Sequence, residues 1–389
     1  MVDIAHQAAI NPASARDVAP ARARVPLAAV DTGQWRALAQ RAIEPNGYYL
    51  PAWELAVSAS ARGRTDASAL PAFDGSSTRL IGLMPVISLW HAQKIPLPAL
   101  VSAHPYGTLC SPLIDRDAPI EAATRLLQRT REAGAHALVL NDVALDGAAM
   151  NALNQVLNRD GLKPRVLSSY IRASLDATQD GETLLRDALG AKKLKELRRQ
   201  RHRLEEHGPV AFEVARSPDE IGPALENFLQ LEASGWKGKR GTALVQHAGD
   251  ATFIRRAVPA LAETAQCEIV TLRAGMTPVA AGIVLRHRDR AFFFKLGIDE
   301  RFSKYSPGVQ LTLDLTRHLC ADPAIASADS TASADHPMIN PIWRGRFAIG
   351  DVLIPLRRND PVVALIHAAL IGINVAHDAA RRMVHLLRK

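Results

Sequence analysis

In the first half of the chain, apolar segments typical of buried strands alternate with segments whose apolar residues fall on one helical face. An apolar run with β-branched residues at 79–90 predicts a buried strand, and residues 119–133 place their apolar side chains on one helical face. Short apolar runs at 137–140 and 166–175 predict two further strands, with a helix at 147–160 between them. Strands that alternate with helices predict a mixed α/β domain.

The second half begins with helices and then changes to closely spaced strands. A basic helix is predicted over 182–207, and Ser217 with Glu220 forms a capping box that opens the next helix. Three strands follow in series on tight turns, which predicts an antiparallel meander. The predicted meander strands are Glu268–Leu272, Val279–His287 and Arg290–Ile298. A helix from Val309 to Cys320 comes next, and residues 325–329 and 347–354 are candidates for closing strands.

Composition and charge narrow the class of protein. Hydrophobic residues make up 48% of the 389 positions, enough to bury a sizeable core. The formal charge of +8 favours anionic partners. Three widely separated cysteines, with no CxxC or HExxH motif, predict buried thiols and no metal site. No secretory h-region and no apolar run of about 18–20 residues occurs, so a cytoplasmic protein is expected.

Several nucleotide and hydrolase motifs are missing from the sequence. There is no Walker A loop, no GxGxxG after a strand and no GxSxG elbow. What remains is the meander that leads into the helix start Ser306-Pro307-Gly308-Val309. A helix N-terminus binds phosphate through its free amides, Gly308 allows close approach, and Arg301 and Lys304 add charge nearby. The alternative is an ordinary helix start after a polar loop.

Four segments in this order resemble GNAT-type acetyltransferases of the CelD/BcsL group, which is linked by name to cellulose and exopolysaccharide synthesis. They are residues 231–244 (LEASGWKGKRGTAL), the meander 268–298, Lys295 to Glu300, and Tyr305 to Gly308. The layout is also similar to that of FemAB-type aminoacyltransferases, which carry two GNAT-like lobes. The resemblance implies an α/β (α+β) fold of two lobes, each a mixed, mainly antiparallel sheet flanked by helices. The implied division is a disordered tail (1–28), a degenerate GNAT-like domain (29–175), a GNAT acyltransferase domain (176–360) and an amphipathic helix (361–389).

The resemblance also implies a donor site. In GNAT folds acyl-CoA lies where two central strands splay, its pantetheine on the strand edge and its diphosphate on the following helix. Carried over, the strand contributes Lys295, Leu296 and Gly297, and the helix begins at Ser306. Only Gly308 stands in for the glycines of the usual (Gln/Arg)-x-x-Gly-x-(Gly/Ala) motif, which leaves room for an aminoacyl-tRNA donor. The implied activity is acyl transfer, with acetyl-CoA or another acyl-CoA as co-substrate and no metal, to a sugar, polysaccharide precursor or related amine. A non-catalytic component of a polysaccharide synthesis complex is a further alternative.

Direct transfer needs an acid and a base. Tyr305 is the candidate acid, with a packing tyrosine as the alternative. Glu232 and Asp299 are candidate bases, with surface or capping carboxylates as the alternative. The candidate substrate-binding residues, each with a packing or solvated alternative, are Trp236, Lys237, Asp329, Asp335 and Trp343.

Two basic helices leave other partners open. The helix at 191–207 is rich in lysine and arginine and is a candidate for RNA binding, although its leucine stripe and mixed charges favour a solvated helix packed by one face. The C-terminal helix is a candidate for a membrane surface, with packing on the protein body favoured.

Overall fold

The computed structural model describes residues 23–386 except residue 105, and side chains up to residue 376. Most of the predicted disordered tail, residues 1–22, lies outside these described positions, as do the side chains at the basic end of the last helix. The end of the predicted tail is structured instead. Val25 pairs with Ala69 in the sheet, and Leu27 is buried, so the fold begins earlier than the sequence suggests.

Strands and helices alternate through the first half, and a helical stretch precedes the meander in the second. The strands are β1 (Val25–Pro26), β2 (Ser68–Phe73), β3 (Leu80–Ser88), β4 (Ala99–Ser102), β5 (Leu113–Ile114), β6 (Ala137–Ala144), β7 (Arg165–Asp176), β8 (Val210–Ala215), β9 (Cys267–Ala274), β10 (Thr277–His287), β11 (Arg290–Ile298), β12 (Ser327–Asp329) and β13 (Gly345–Pro355). The helices are α1 (Thr32–Arg41), α2 (Pro51–Ser60), α3 (Leu89–Gln93), α4 (Pro119–Glu132), α5 (Ala148–Arg159), α6 (Gly181–Leu204), α7 (Pro218–Ser234), α8 (Trp236–Lys239), α9 (Ala248–Ala262), α10 (Pro307–Ala321) and α11 (Pro361–Leu386).

One sheet runs through both halves of the molecule. Its order is β1-β2-β3-β4-β6-β13-β7-β12-β11-β10-β9-β8, and β5 pairs with β3. The halves repeat one arrangement: three antiparallel strands, then a helix, then a strand parallel to the third. This is β2-β3-β4, α4 and β6 in the first half, and β9-β10-β11, α10 and β12 in the second. The expected mixed α/β fold of two lobes is confirmed.

The last strand belongs to the sheet of the first half. β13 lies between β6 and β7 and is antiparallel to both. Apolar side chains from both halves also share one core, in which Trp53 packs edge-to-face against Phe253 and Phe294. The two lobes are therefore joined by continuous backbone pairing and by a common interior.

The helices follow the sequence predictions closely, except that one predicted helix is broken. The capping box of Ser217 and Glu220 opens α7 as expected. The helix predicted over 182–207 is broken at Gly190, whose φ of 71° only glycine adopts easily, so the basic part is a separate segment. The apolar start of α11 packs on the sheet through Val363 and Ile366. Within the described residues, no helix has the length and apolar character needed to cross a membrane.

Candidate functional site

A fork in the sheet of the second half forms the centre of the candidate site. β11 and β12 pair in parallel only from Arg290 to Phe292, and they separate beyond that point. The pairing of β11 with β10 shifts at Phe294, because Phe293 pairs with Val284 while Lys295 pairs with Ile283. Such a bulge bends a strand and increases its twist, which carries β11 away from β12. The side chain of Thr331 spans the opening, since its hydroxyl donates to the Phe293 carbonyl at 2.7 Å.

A cavity of about 430 Å³ opens at the fork. Its walls are the diverging part of β11, the start of α10, the loop after β12 and the short helix α8. Among the residues predicted to bind a donor or acceptor, the ones that line it are Trp236, Lys237, Lys295, Leu296, Ser306, Pro307, Gly308 and Val309. The structure thus brings the predicted strand edge and the predicted helix start to one cavity. It also brings Trp236 and Lys237 to the same cavity, although the sequence suggested a separate acceptor loop.

The helix start at this cavity has free hydrogen-bonding capacity. Ser306 has a φ of 55° and makes no side-chain cap, and the first turn of α10 carries no acidic residue. The first helical bond runs from the Gln310 amide to the Ser306 carbonyl. The amides of Gly308 and Val309 therefore lie in the turn that an α-helix leaves without internal partners. Gly308 is also needed for packing, because an added Cβ would lie 3.0 Å from Leu296.

The flanking cations are placed differently from each other. Arg301 forms a salt bridge with Asp299, in which Arg301 Nη2 lies 2.7 Å from the Asp299 carboxylate. The side chain of Arg301 is largely exposed. Lys304 lies over the ring of Tyr305. Hydrogen bonds from Arg301 lower the pKa of Asp299, which also caps the turn that follows it. Asp299 therefore sits outside the cavity as a capping carboxylate, and Arg301 and Lys304 do not line the cavity walls.

A buried carboxylate holds two lysines at the cavity. Glu232 accepts from the Leu244 amide at 2.9 Å, and its other oxygen lies 3.1 Å from Lys295 and 3.5 Å from Lys237. Lys237 also donates to the Leu296 carbonyl at 2.9 Å, on the strand edge. Burial lowers the pKa of Lys237, and the neighbouring charge of Lys295 lowers it further. Glu232 is thus committed to an ion network, and Lys237 is the more available proton carrier.

Tyr305, the predicted acid, is buried beside the cavity. Its hydroxyl lies 3.0 Å from His207 Nε2, and its ring packs near Phe302. It is absent from the cavity lining, so a path to a departing thiolate runs through neighbouring groups.

Three other predicted substrate-binding residues are placed elsewhere. Trp343 corrects an expectation, because it is buried, donates to Thr316 at 2.9 Å and packs near Phe293, and so cannot stack on a substrate. Asp329 is buried against Arg172 at 3.1 Å, which corrects its expected role as a substrate-binding residue. Asp335 is exposed and lies outside the cavity lining.

A second cavity, of about 370 Å³, lies against the same fork on the side of the first lobe. Phe294, Lys295 and Thr331 line both cavities, so the two share a wall. The first lobe and its loops supply the remaining lining, which is Tyr48, Arg64, His104, Tyr106, Gly107 and Thr108. No role is predicted for these residues from the sequence. The available signal was the polar and aromatic stretch between β4 and β5, since binding groups concentrate on loops.

Strained backbone conformations gather around the two cavities. Tyr106, Asp142, Ser306 and Thr331 all have φ between 44° and 56°, in the left-handed region that non-glycine residues seldom adopt. Thr331 and Tyr106 line the second cavity, Ser306 lines the first, and Asp142 holds His104. Strain of this kind persists at sites where function requires a particular backbone position.

Comparison with known proteins identifies part of the chain. Residues 191–336 match the family described as Acetyltransferase (GNAT) domain. The fold is similar to FemX, with a TM-score of 0.57 at 12% identity, over 87% of this chain and 98% of that one. It is also similar to the C-terminal domain (DUF2156) of a protein described as a lysylphosphatidylglycerol synthetase from Agrobacterium fabrum. That comparison has a TM-score of 0.52 at 13% identity and covers 87% of this chain and 95% of that one.

A conserved protein of unknown function from Bacteroides thetaiotaomicron has the same fold, with a TM-score of 0.52 at 11% identity. This match covers 84% of this chain and 98% of that one. No curated protein sequence matches the chain. At such low identities the structural likeness establishes the fold, while the matched segment contains the fork, the helix start and the lining of the first cavity except Met338 and Ile339. The chain is therefore an acyltransferase with a GNAT domain at residues 191–336.

Proposed function

We propose that this protein transfers an acyl group directly from acyl-CoA to an amine or hydroxyl, with the donor in the first cavity. The observation that carries the proposal is the meeting of an open strand edge and an uncapped helix start at one cavity. A diphosphate fits the helix start because free amides and the helix dipole favour anions there. A pantetheine arm fits the edge of β11, where carbonyl and amide groups beyond Phe293 no longer pair with β12.

The protein's own groups supply what direct transfer requires. Backbone amides along the opened edge of β11 polarise the acyl carbonyl when they are oriented before the reaction starts. Lys237 contacts that edge through the Leu296 carbonyl, and the Glu232 carboxylate holds it in place. Its lowered pKa favours the release of a proton to a departing thiolate. Tyr305 remains a candidate relay through His207.

The finer parts of the proposal rest on the resemblance to the CelD/BcsL group. They are acetyl-CoA as the donor, a sugar, polysaccharide precursor or related amine as the acceptor, a cytoplasmic setting and association with polysaccharide synthesis machinery. The division into lobes at 29–175 and 176–360 belongs to the same proposal, except that β13 of the second range completes the sheet of the first lobe.

A charge substitution at Ser306 tests the donor site. Ser306→Asp and Ser306→Asn are matched, because both residues accept the left-handed backbone and both cap helices well. Only the aspartate places a negative charge where the diphosphate would bind. We expect calorimetry to show CoA binding at least about tenfold weaker for Ser306→Asp than for Ser306→Asn, with both variants folded. Equal affinity in the two variants, or no CoA binding by the unaltered protein, would contradict the proposed donor site.

An aminoacyl-tRNA donor is a second candidate, favoured by one feature. The basic segment of α6 exposes Lys192, Lys195 and Arg199 and packs on α10, since Gln310 donates to the Leu197 carbonyl at 2.8 Å. A positive surface therefore runs beside the donor cavity. A gel shift with charged tRNA tests it, because contacts to phosphates weaken steeply with salt. Absent or salt-independent binding would remove this candidate.

A further inference from the structure

Arg64 brings a positive charge to the wall of the second cavity. No salt bridge to Arg64 occurs within the described residues, and its Nε is buried with no hydrogen-bond partner there. Its guanidinium lies over the ring of Tyr106, 5.5 Å from the centroid. The fully buried carboxyl of Glu54 interacts with Arg64, but burial raises the pKa of Glu54 well above its ordinary value, which favours the neutral acid. Arg64 therefore lies at the cavity wall with an Nε that has no partner among the described residues, where it can contact a ligand.

Lys295 adds to this charge on the shared wall. Its ammonium lies 5.7 Å from the Tyr106 ring centroid and 5.8 Å from that of Phe294. The single carboxylate of Glu232 contacts both Lys295 and Lys237, so these two ammonium groups share one negative charge. The other nearby acids have contacts of their own: Asp142 contacts His104, Asp329 contacts Arg172, and Asp250 accepts from the Arg62 amide.

A histidine held by a carboxylate stands in the same cavity. His104 Nε2 lies 3.1 Å from an oxygen of Asp142, whose other oxygen accepts from Tyr170 at 3.2 Å. His104 Nδ1 is buried and makes no hydrogen bond within the described residues. With Nε2–H donated to Asp142, the lone pair of Nδ1 is free to accept a proton. This is the arrangement of a base and a group that orients it.

The backbone of Asp142 is strained at the position from which it contacts His104. It has a φ of 44°, and it lies where the pairing of β6 with β13 shifts register. Its amide donates to Asp351 at 2.9 Å, and its carbonyl accepts from Cys110. The bulge therefore aims the carboxylate at His104.

We propose that the second cavity is the acceptor site, that Arg64 and Lys295 bind a phosphate or carboxylate group of the acceptor, and that His104 takes the proton from its nucleophile. The proposal rests on the donor site described above and adds the class of acceptor. The nucleophile attacks the thioester carbonyl across the wall that both cavities share. The new bond to carbon forms, the carbon–sulfur bond breaks with its electron pair on sulfur, and His104 Nδ1 gains the proton of the nucleophile. The thiolate is protonated by solvent or Lys237, and His104 later releases its proton to solvent.

A binding experiment tests the anion site. Inorganic phosphate and acetate are titrated by calorimetry into the unaltered protein, Arg64→Gln and the control Arg62→Gln, whose guanidinium contacts His247 outside the cavity. We expect Arg64→Gln to weaken binding of one anion at least about tenfold, and Arg62→Gln to leave it unchanged. The anion that is affected identifies a phosphorylated or a carboxylated acceptor. Equal binding by all three proteins overturns the anion site.

A kinetic experiment tests His104. Thiol release from acetyl-CoA is followed with water and with the pair glucosamine and glucosamine 6-phosphate, whose second member carries the anion. We expect His104→Gln to lower kcat by about 10²–10⁴-fold with little change in the acceptor KM, and imidazole to restore part of the rate in His104→Ala. An unchanged kcat in His104→Gln, or a change in KM alone, overturns the role of His104.

Different results would contradict the proposed donor site and the proposed acceptor site. If CoA does not bind but Arg64→Gln still loses anion binding, the donor assignment fails while the anion site stands. If CoA binds and Ser306→Asp weakens it, but Arg64 and His104 variants behave as the unaltered protein, the acceptor assignment alone fails.

Discussion

The guanidinium of Arg172 on β7 lies 3.1 Å from the carboxylate of Asp329 on β12, and both side chains are buried. The pair stands at the base of the fork, where the strands of the two lobes meet. Arg172 also donates to the Thr108 carbonyl at 2.7 Å, beside the second cavity. The contact therefore joins both lobes to the loop that carries the proposed acceptor site.

Breaking this pair on one side should be costly for folding. Arg172→Met leaves a buried carboxylate without its partner, so we expect the free energy of unfolding to fall by about 3–5 kcal/mol. The double variant Arg172→Met with Asp329→Leu should lose less than Arg172→Met alone, because neither charge remains buried. Denaturant unfolding measures both. A single variant as stable as the unaltered protein would show that the pair is dispensable.

Two tryptophans predicted alike from sequence should behave differently. Trp343→Ala should lower the free energy of unfolding by about 3–5 kcal/mol, because a buried indole and its bond to Thr316 are removed. Trp236, which is 48% exposed at the donor cavity, should change stability by only about 0.5 kcal/mol when replaced by alanine.

The same Trp236→Ala variant should bind CoA more weakly, by about 1–3 kcal/mol if the indole stacks on the adenine. Calorimetry and denaturant unfolding on both variants separate the two roles. Unchanged CoA affinity in Trp236→Ala would exclude it from donor binding.

His287 should make the fold sensitive to acid. It is buried between the two lobes, accepts from the Asn46 amide at 2.9 Å, and contacts the Ala39 carbonyl at 3.0 Å. Burial lowers its pKa from 6.5 to about 4, so the folded state holds the neutral ring. The stabilising contribution is complete above pH 6.5 and is lost as the pH falls towards 4, because the unfolded chain binds the proton first.

The expected loss from this residue is about 3 kcal/mol over that pH range. His287→Gln keeps an acceptor and a donor but cannot be protonated. It should therefore show a smaller loss of unfolding free energy between pH 7 and pH 4 than the unaltered protein, measured with denaturant at each pH. Parallel curves for the two proteins would assign the acid sensitivity to other groups.

The sequence predicted the local parts of the proposed donor site better than the distant ones. The meander, the helix start at Pro307 and the capping box at Ser217 depend on adjacent residues, whose turn and capping preferences can be read directly. The buried positions of Trp343 and Asp329 depend on their contacts with Thr316 and Arg172, which are distant in sequence. No local pattern distinguishes a buried partner from a solvated loop.

The second cavity was missed for the same reason. His104 and Asp142 are 38 positions apart, and Arg64 joins them only through the packing of the first lobe on β11. The short strands β2 and β4 and the helix α1 were missed because their patterns are brief and their apolar faces are completed by other elements. Gly190 limits the prediction in another way, because this single residue divides a segment that the sequence predicts as one helix.

The position of β13 has a consequence for how the chain is made. Residues 345–355 fill the gap between β6 and β7, so the sheet of the first lobe cannot be completed until the chain has been synthesised through β13. The edges of β6 and β7 that β13 covers stay unpaired while the second lobe is synthesised. Unpaired strand edges invite pairing with other chains, which makes the nascent first lobe a natural client for chaperones. Only a chain that includes residues 345–355 can close this sheet.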